Sequence, residues 1–451
     1  MGDLHDLGAV EAARAIRSGA LSPVDLLTAC LDRIDAVDPL VMAWVHLDRE
    51  GALTAARQRE REARGGRFLG ALHGVPLALK DIFDAAGLPT TAGAQLFAHR
   101  VPSADAASVA RLRAAGGVVL GKVTTTAFAF LDPSPTRNPW NPEHTPGGSS
   151  SGPAAAVAAR MVPLALGSQT VGSVLRPAAY CGVIGLKPTH GRISAAGVVP
   201  LAWSLDHVGI FARRVEDCAL ALGLLAGMDA ADPLSSGTGI DDYLGAALHP
   251  VTPRLGVLRA LLDRATPEMA AHVDAVARAF RAAGALVSDV ELPPSYARVH
   301  EAGNRIVRAE AAAHHAPLFA KHADEYPPKI REALEQGRQV LAVDYLAAQH
   351  ERRVFRDEMG AIAARYDALV LPTAAAPAPR GLGSTGDPYF CAPWSISGMP
   401  AIALPSGLDA SGLPLSVQLV GGMFAEARVL GAAAWCEQAI GFSAAPALSR
   451  P

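Results

Sequence analysis

Residues 145–190, TPGGSSSGPAAAVAARMVPLALGSQTVGSVLRPAAYCGVIGLKPTH, restrict this chain more than any other stretch. Two serine turns rich in glycine sit within it. The first is Gly147-Gly148-Ser149-Ser150-Ser151-Gly152. The second ends at Ser173, 24 residues after Ser149. Glycine lets a backbone approach a ligand closely and adopt dihedrals other residues avoid. A serine in such a turn is a candidate nucleophile among backbone N–H donors. Two flexible linker loops would have the same composition. The segment between them, Ala154–Gly167, is apolar and must bury, so both turns are expected to be pinned to a core.

The rest of the chain supplies the material for that core. Ser22-Pro23-Val24-Asp25 is a helix start with a Ser cap, Pro at the first helical position and an acid in the first turn. It opens a helix over 22–38, after an earlier one over 5–18. A third, over 48–64, carries the run RQREREAR, which reads as a solvated face. Gly74–Asp81 reads as a buried strand ending in Lys80. A helix over 105–115 precedes the strand Val118-Val119-Leu120. Further strands are expected at Val183–Leu186, Leu255–Leu258, Ala285–Leu292, Ala368–Leu371, Ala401–Leu404 and Ser416–Val420. Helices are expected over 214–227, 267–284, 328–365 and 424–439. This alternation predicts an α/β fold with a largely buried sheet. The charged helical stretch 297–363, with His314-His315, is a cover over the site or a structural cap. No repeat or long linker divides the chain, so one domain over 1–451 is expected. It comprises N-terminal helices (1–65), a catalytic core (66–230), the helical cover (297–363) and a return to the sheet (364–445).

Composition excludes several function classes. With 40 Lys and Arg against 43 Asp and Glu, the formal net charge is −3. That gives no electrostatic case for nucleic acid or a membrane surface. Five scattered cysteines, with no C-x-x-C, support neither a zinc site nor a disulfide framework. The N-terminus lacks a basic-then-apolar signal pattern, and Arg160 and Pro163 interrupt the longest apolar run. A cytoplasmic protein acting on a small-molecule substrate is the expectation.

Familiar motifs fail on inspection. Gly116–Lys122 has phosphate-loop spacing, but Val123 stands where Ser or Thr should hold magnesium. It reads as a strand with tight ends. Gly148–Gly152 matches G-x-S-x-G, but a turn-rich loop precedes it where a nucleophile elbow needs a strand. No metal-ligand spacing appears, and neither a metal nor an organic cofactor is expected.

What remains is one lysine and two serine turns. Lys80 either snorkels to solvent or is buried, in which case its pKa falls and it accepts protons near neutral pH. A neutral lysine can serve as base for a serine nucleophile. A serine of the first turn could relay the proton between Lys80 and Ser173. The N–H groups of Thr170, Val171, Gly172 and Ser173 could meet a developing oxyanion.

Together these segments resemble the amidase signature family. The similarity runs through LHGVPLALKDIFDAAGLPTTAG (72–93), DAASVARLRAAGGVVLGKVTTTAFA (105–129), NPWNPEHTPGGSSSG (138–152) and LGSQTVGSVLRPAAYCGVIGLKPTHGRI (166–193). It continues in STGDP (384–388), GMPAIALPSG (398–407) and GLPLSVQLVGG (412–422). The resemblance implies one α/β domain with a mixed, twisted sheet of about a dozen strands covered by helices. It implies a Lys–cis-Ser–Ser triad of Lys80, Ser149 and Ser173, with a cis peptide bond before Ser149. The implied chemistry is acyl transfer from an amide to Ser173, followed by hydrolysis.

The chain departs from the family's common D-T-G-G-S-I-R with Gln169-Thr170-Val171-Gly172-Ser173-Val174-Leu175-Arg176. This form resembles the malonamidase-like branch, which implies that Arg176, with Gln169 beside it, binds substrate. There the matching arginine holds a carboxylate. A structural ion pair is the other role open to Arg176. Val171 replaces a glycine, keeps its N–H and narrows the pocket. Aliphatic amides, anilides, carbamates and malonamate-like acids all fit as substrates. Two rival readings are a scaffold without chemistry and an A-type amidotransferase subunit. Pocket walls are expected from 126–140, 300–340 and 384–397, and analogy with such folds leaves a homodimer open.

Overall fold

An 11-stranded sheet organises residues 3–448, the part of the chain that the computed structural model describes. The few terminal residues beyond these limits, Met1-Gly2 included, lie outside the described residues. In chain order the strands are β1 (Trp44–Leu47), β2 (Pro76–Lys80), β3 (Val118–Val123), β4 (Leu164–Gln169), β5 (Ile184–Lys187), β6 (His207–Ala212), β7 (Arg254–Val257), β8 (Leu286–Asp289), β9 (Ala368–Pro372), β10 (Ala401–Leu408) and β11 (Pro414–Val420). Their order across the sheet is β1-β3-β2-β4-β6-β5-β10-β11-β9-β7-β8. The sheet is mixed. β2 runs parallel to both β3 and β4, whereas β4, β6, β5, β10, β11 and β9 pair antiparallel in succession. Every residue of β2, β3, β4, β6 and β11 is buried, as expected of strands covered on both faces. The chain forms the expected single large α/β domain.

The capping chemistry holds. Ser22 Oγ accepts from the N–H groups of Val24 and Asp25 at the start of helix Pro23–Val41. Thr266 Oγ1 accepts from Met269 N at the start of helix Pro267–Ala282.

Three differences have local causes. The first helix does not run over 5–18; a single turn, Leu4–Asp6, precedes helix Ala9–Arg17. The buried Asp217 carboxylate takes the N–H of Val10 at 2.7 Å and so starts the helix there. The helix expected over 328–365 is two, Pro328–Gly337 and Ala342–Ala363, and a separate 27-residue helix, Tyr296–His322, precedes them. β1, β4 and β6 fall outside the expected strands. β4 is LALGSQ and β6 is HVGIFA, and glycine and polar residues at their ends mimic turns.

The apolar segment between the serine turns is thus a buried helix, Ser151–Ala158, followed by β4. It places the two serine turns at its opposite ends.

Candidate active site

β2 and β4 are parallel neighbours with Leu79 opposite Leu166, so both deliver their C-terminal ends to the same edge. Open α/β sheets bind ligands outside the carboxyl ends of their strands. Lys80 closes β2 there and is fully buried. Its Nζ lies 2.7 Å from Ser149 Oγ and 2.8 Å from Ser168 Oγ. Burial pushes the Lys80 pKa well below its usual value, with the carboxylate of Asp206 pulling the other way. Of its two readings, snorkelling is excluded. Burial favours the neutral amine, the form that accepts protons.

The Gly148–Ser149 peptide bond is cis. Each serine of the cluster has its own partner. Ser149 Oγ meets Lys80. Ser150 Oγ donates to the Ser168 carbonyl at 3.0 Å and accepts from Ser168 N, which clasps this turn to β4. Ser151 Oγ donates to the Gly147 carbonyl. Gly147 has φ +81°, and a Cβ there would stand 2.8 Å from Pro177 Cα, so no side chain fits.

The second turn lies against the first. Ser150 N donates to the Ser173 carbonyl at 3.3 Å. The N–H groups of Thr170, Val171, Gly172 and Ser173 make no hydrogen bond to another protein group among the described residues. Four backbone donors left unpaired beside a serine fit an oxyanion site, because buried N–H groups are otherwise paired. Gln169 locks this turn rather than facing substrate. Its Oε1 accepts from Val174 N and Leu175 N, and its Nε2 donates to Ser395 Oγ, which in turn donates to the Val171 carbonyl.

Of the two roles open to Arg176, the structural ion pair is not formed among the described residues. Its terminal nitrogens donate to the carbonyls of Gly148 and Gly386 and to Thr385 Oγ1. It is 2% exposed. Its terminal nitrogens therefore join the relay turn to the 384–388 loop, while its buried Nε has no partner among the described residues.

Two further residues carry no signal of their own in the sequence. Ser168 is one; only the pairing of β2 with β4 brings it to the lysine. Asp206 is the other. Its carboxylate accepts from Thr170 Oγ1 at 2.5 Å and from the N–H groups of Leu201 and Ala202. Burial raises its pKa to about 6, so it is ionised at neutral pH. Asp206→Asn removes a negative charge that favours the Lys80 ammonium. The Lys80 pKa then falls further, and the acid limb of the kcat/KM–pH profile moves to lower pH. An upward shift of that limb would contradict the coupling.

The expected walls converge. Asp132 accepts from Lys329 N and Ile330 N, and Lys329 Nζ donates to the Leu131 and Gly383 carbonyls. These contacts join the segments near 130, 330 and 383. A Cβ on Gly172 would meet Pro388 Cβ at 2.8 Å, so the 384–392 loop packs on the oxyanion turn itself. Beyond it Tyr389 stacks on His300 at 4.3 Å. His315 instead bonds Tyr326 and packs on Phe128, a structural role.

A family model described as Amidase matches residues 25–430. The A subunit of the glutamyl-tRNA(Gln) amidotransferase of Geobacter metallireducens is 35% identical over 475 residues, covering 97% of this chain and 98% of its own. Among solved structures, 6-aminohexanoate cyclic dimer hydrolase superposes with a TM-score of 0.89 at 29% identity, covering 99% of each chain. The peptide amidase of Stenotrophomonas maltophilia gives a TM-score of 0.84 at 31% identity, covering 98% of this chain and 99% of its own.

Proposed function

The chain belongs to the amidase family and is a hydrolase of carbon–nitrogen bonds, and from that premise we propose that it cleaves small-molecule amides, anilides or carbamates through an acyl-enzyme on Ser173. One observation carries this reading: a fully buried lysine, its pKa depressed by desolvation, stands 2.7 Å from Ser149 Oγ beside the Ser173 turn. Ser173 Oγ attacks the carbonyl carbon while its proton passes through Ser149 to Lys80. The oxyanion is held by the N–H groups of the 170–173 turn. Collapse breaks the C–N bond, and the relay returns the proton to the departing nitrogen. Water then attacks the ester, with Lys80 again the base, and releases the acid.

The malonamidase-like branch asks for a carboxylate on Arg176; the terminal nitrogens of that side chain bond protein groups and its buried Nε has no partner among the described residues, so malonamate-like acids stay among the substrates to be assayed. The second reading, an A-type subunit releasing ammonia within a complex, is favoured by the 35% identity to such a protein. It is opposed by Val171 in the oxyanion turn. Purified chain, alone, is expected to hydrolyse at least one of a primary amide, an anilide and a carbamate, with Ser173 labelled by a fluorophosphonate probe. Turnover only after partner chains are added would favour the second reading. Absence of both turnover and label would indicate a scaffold without chemistry.

A further inference from the structure

A cavity of about 210 Å3 lies beneath the 190–206 segment and abuts the site at Ser168 and Thr170. Its inner end is formed by Ser168, whose Oγ is 2.8 Å from Lys80 Nζ, and by Thr170, the first residue of the oxyanion turn. Its walls are aliphatic, among them Ile82, Val199, Leu201 and Val208. Trp203 and Leu234 also line it and are 42% and 45% exposed, which marks where it opens to solvent. Helix Tyr296–His322 and helix Ala342–Ala363 hold the loop in place. Glu310 accepts from Ser204 N and Oγ, and Arg352 donates to the Ser204 carbonyl.

The lining carries no lysine or arginine, and its acids are Asp206 and Asp232. An anionic group is therefore unwelcome. One buried side-chain atom in the lining lacks a partner, and it belongs to His207. The ring Nδ1 lies 2.6 Å from the Leu205 carbonyl and 3.1 Å from the Gln169 carbonyl, so Nδ1 carries the proton. Nε2 is then a bare acceptor. Size is informative as well: a cavity of roughly 150 Å3 lined by apolar side chains takes a benzene ring.

The position relative to the relay fixes which part of a substrate belongs here. The proton leaves Ser173 through Ser149 and returns by the same route to the nitrogen, so the leaving nitrogen sits on the Ser149–Lys80 side. We propose that this cavity is the leaving-amine subsite and takes an uncharged, ring-sized aromatic amine, which makes anilide-type amides the preferred substrates. The inference rests on the acyl-enzyme reading above. In the step it serves, the C–N bond breaks, the Ser173 Oγ–C bond forms, and the arylamine leaves neutral with the proton that Ser173 gave up.

Two measurements test it. Aniline is titrated into Ser173→Ala protein and followed by tryptophan fluorescence, with Trp203→Phe in the same background to assign the signal. Saturable binding that weakens about tenfold or more in Val199→Phe is expected. The ratio of kcat/KM for acetanilide to that for acetamide is then compared between wild type and Val199→Phe. It should fall at least about tenfold, with Val198→Phe as a second obstruction of the same space. No saturable aniline binding, or an unchanged ratio in both folded variants, overturns the subsite. Aniline binding without turnover of any amide would fail the acyl-enzyme reading and the leaving-amine role with it, whereas amide turnover without aniline binding would overturn the subsite alone.

Discussion

Ser173→Ala is expected to lower kcat/KM for any amide substrate on the order of 10³-fold or more while shifting Tm by no more than about 2 °C. The two halves of this result come from the same geometry. Ser173 Oγ makes no hydrogen bond to the protein among the described residues, and the residue is 8% exposed. Its removal therefore breaks no folded-state polar contact and opens only a small space. The turn that carries it is held by Gln169 through Val174 N and Leu175 N and stays in place. Only the nucleophile is lost. The residual rate is that of water attacking a carbonyl held against the remaining N–H groups, since binding and oxyanion stabilisation survive removal of a nucleophile. Parallel steady-state kinetics and thermal melts on one preparation check both halves. Hydrolysis within tenfold of wild type would remove Ser173 from the mechanism.

The proposed triad is legible in the sequence because each member lies in a local context that is odd by itself. Lys80 ends an apolar strand, and Ser149 and Ser173 sit in glycine turns at the two ends of a buried segment. Ser168 and Asp206 stay hidden because their importance comes from pairing. Ser168 reads as part of a Gly-Ser turn until β4 is seen beside β2, which puts it within 2.8 Å of the lysine. Asp206 belongs to an unremarkable Ser-Leu-Asp-His, and only the fold brings its carboxylate to Thr170. Gln169 and Arg176 stand in the expected turn, and the structure adds the protein partners that the sequence does not show. A long polar side chain can reach either way from the same Cα, and here both turn back to protein groups. The same reasoning covers the strands. β4 and β6 are buried on both faces, so they lack the period-2 alternation that marks a half-exposed strand, and their glycines imitate turn chemistry.

Lys80→Met is expected to lower kcat/KM on the order of 10³-fold or more, and its effect on stability should depend on pH in a defined direction. Lys80 is fully buried, and its folded pKa lies well below the usual value because of that burial. In the unfolded chain the same amine titrates near about 10.4. Between these two values the unfolded state holds one proton more than the folded state, so stability rises with pH across that window. The destabilisation by Lys80 is therefore greatest at and below the folded pKa and is relieved as pH approaches the unfolded value. Methionine has a similar length and no titration. The difference in Tm between Lys80→Met and wild type should accordingly be more positive near pH 6 than near pH 9. A term independent of pH acts against the variant, because Ser149 Oγ and Ser168 Oγ lose their shared partner, at a cost of about 1–3 kcal/mol for each polar group left unsatisfied. That term can set the sign of the difference at one pH but not its slope. A difference that is flat between pH 6 and pH 9, or that grows more negative toward low pH, would mean that the lysine stays protonated in the fold. The relay through Ser149 would then have no base. Catalysis and stability thus make opposite demands on this position: the desolvation that makes Lys80 a proton acceptor is the same desolvation that the fold must bear.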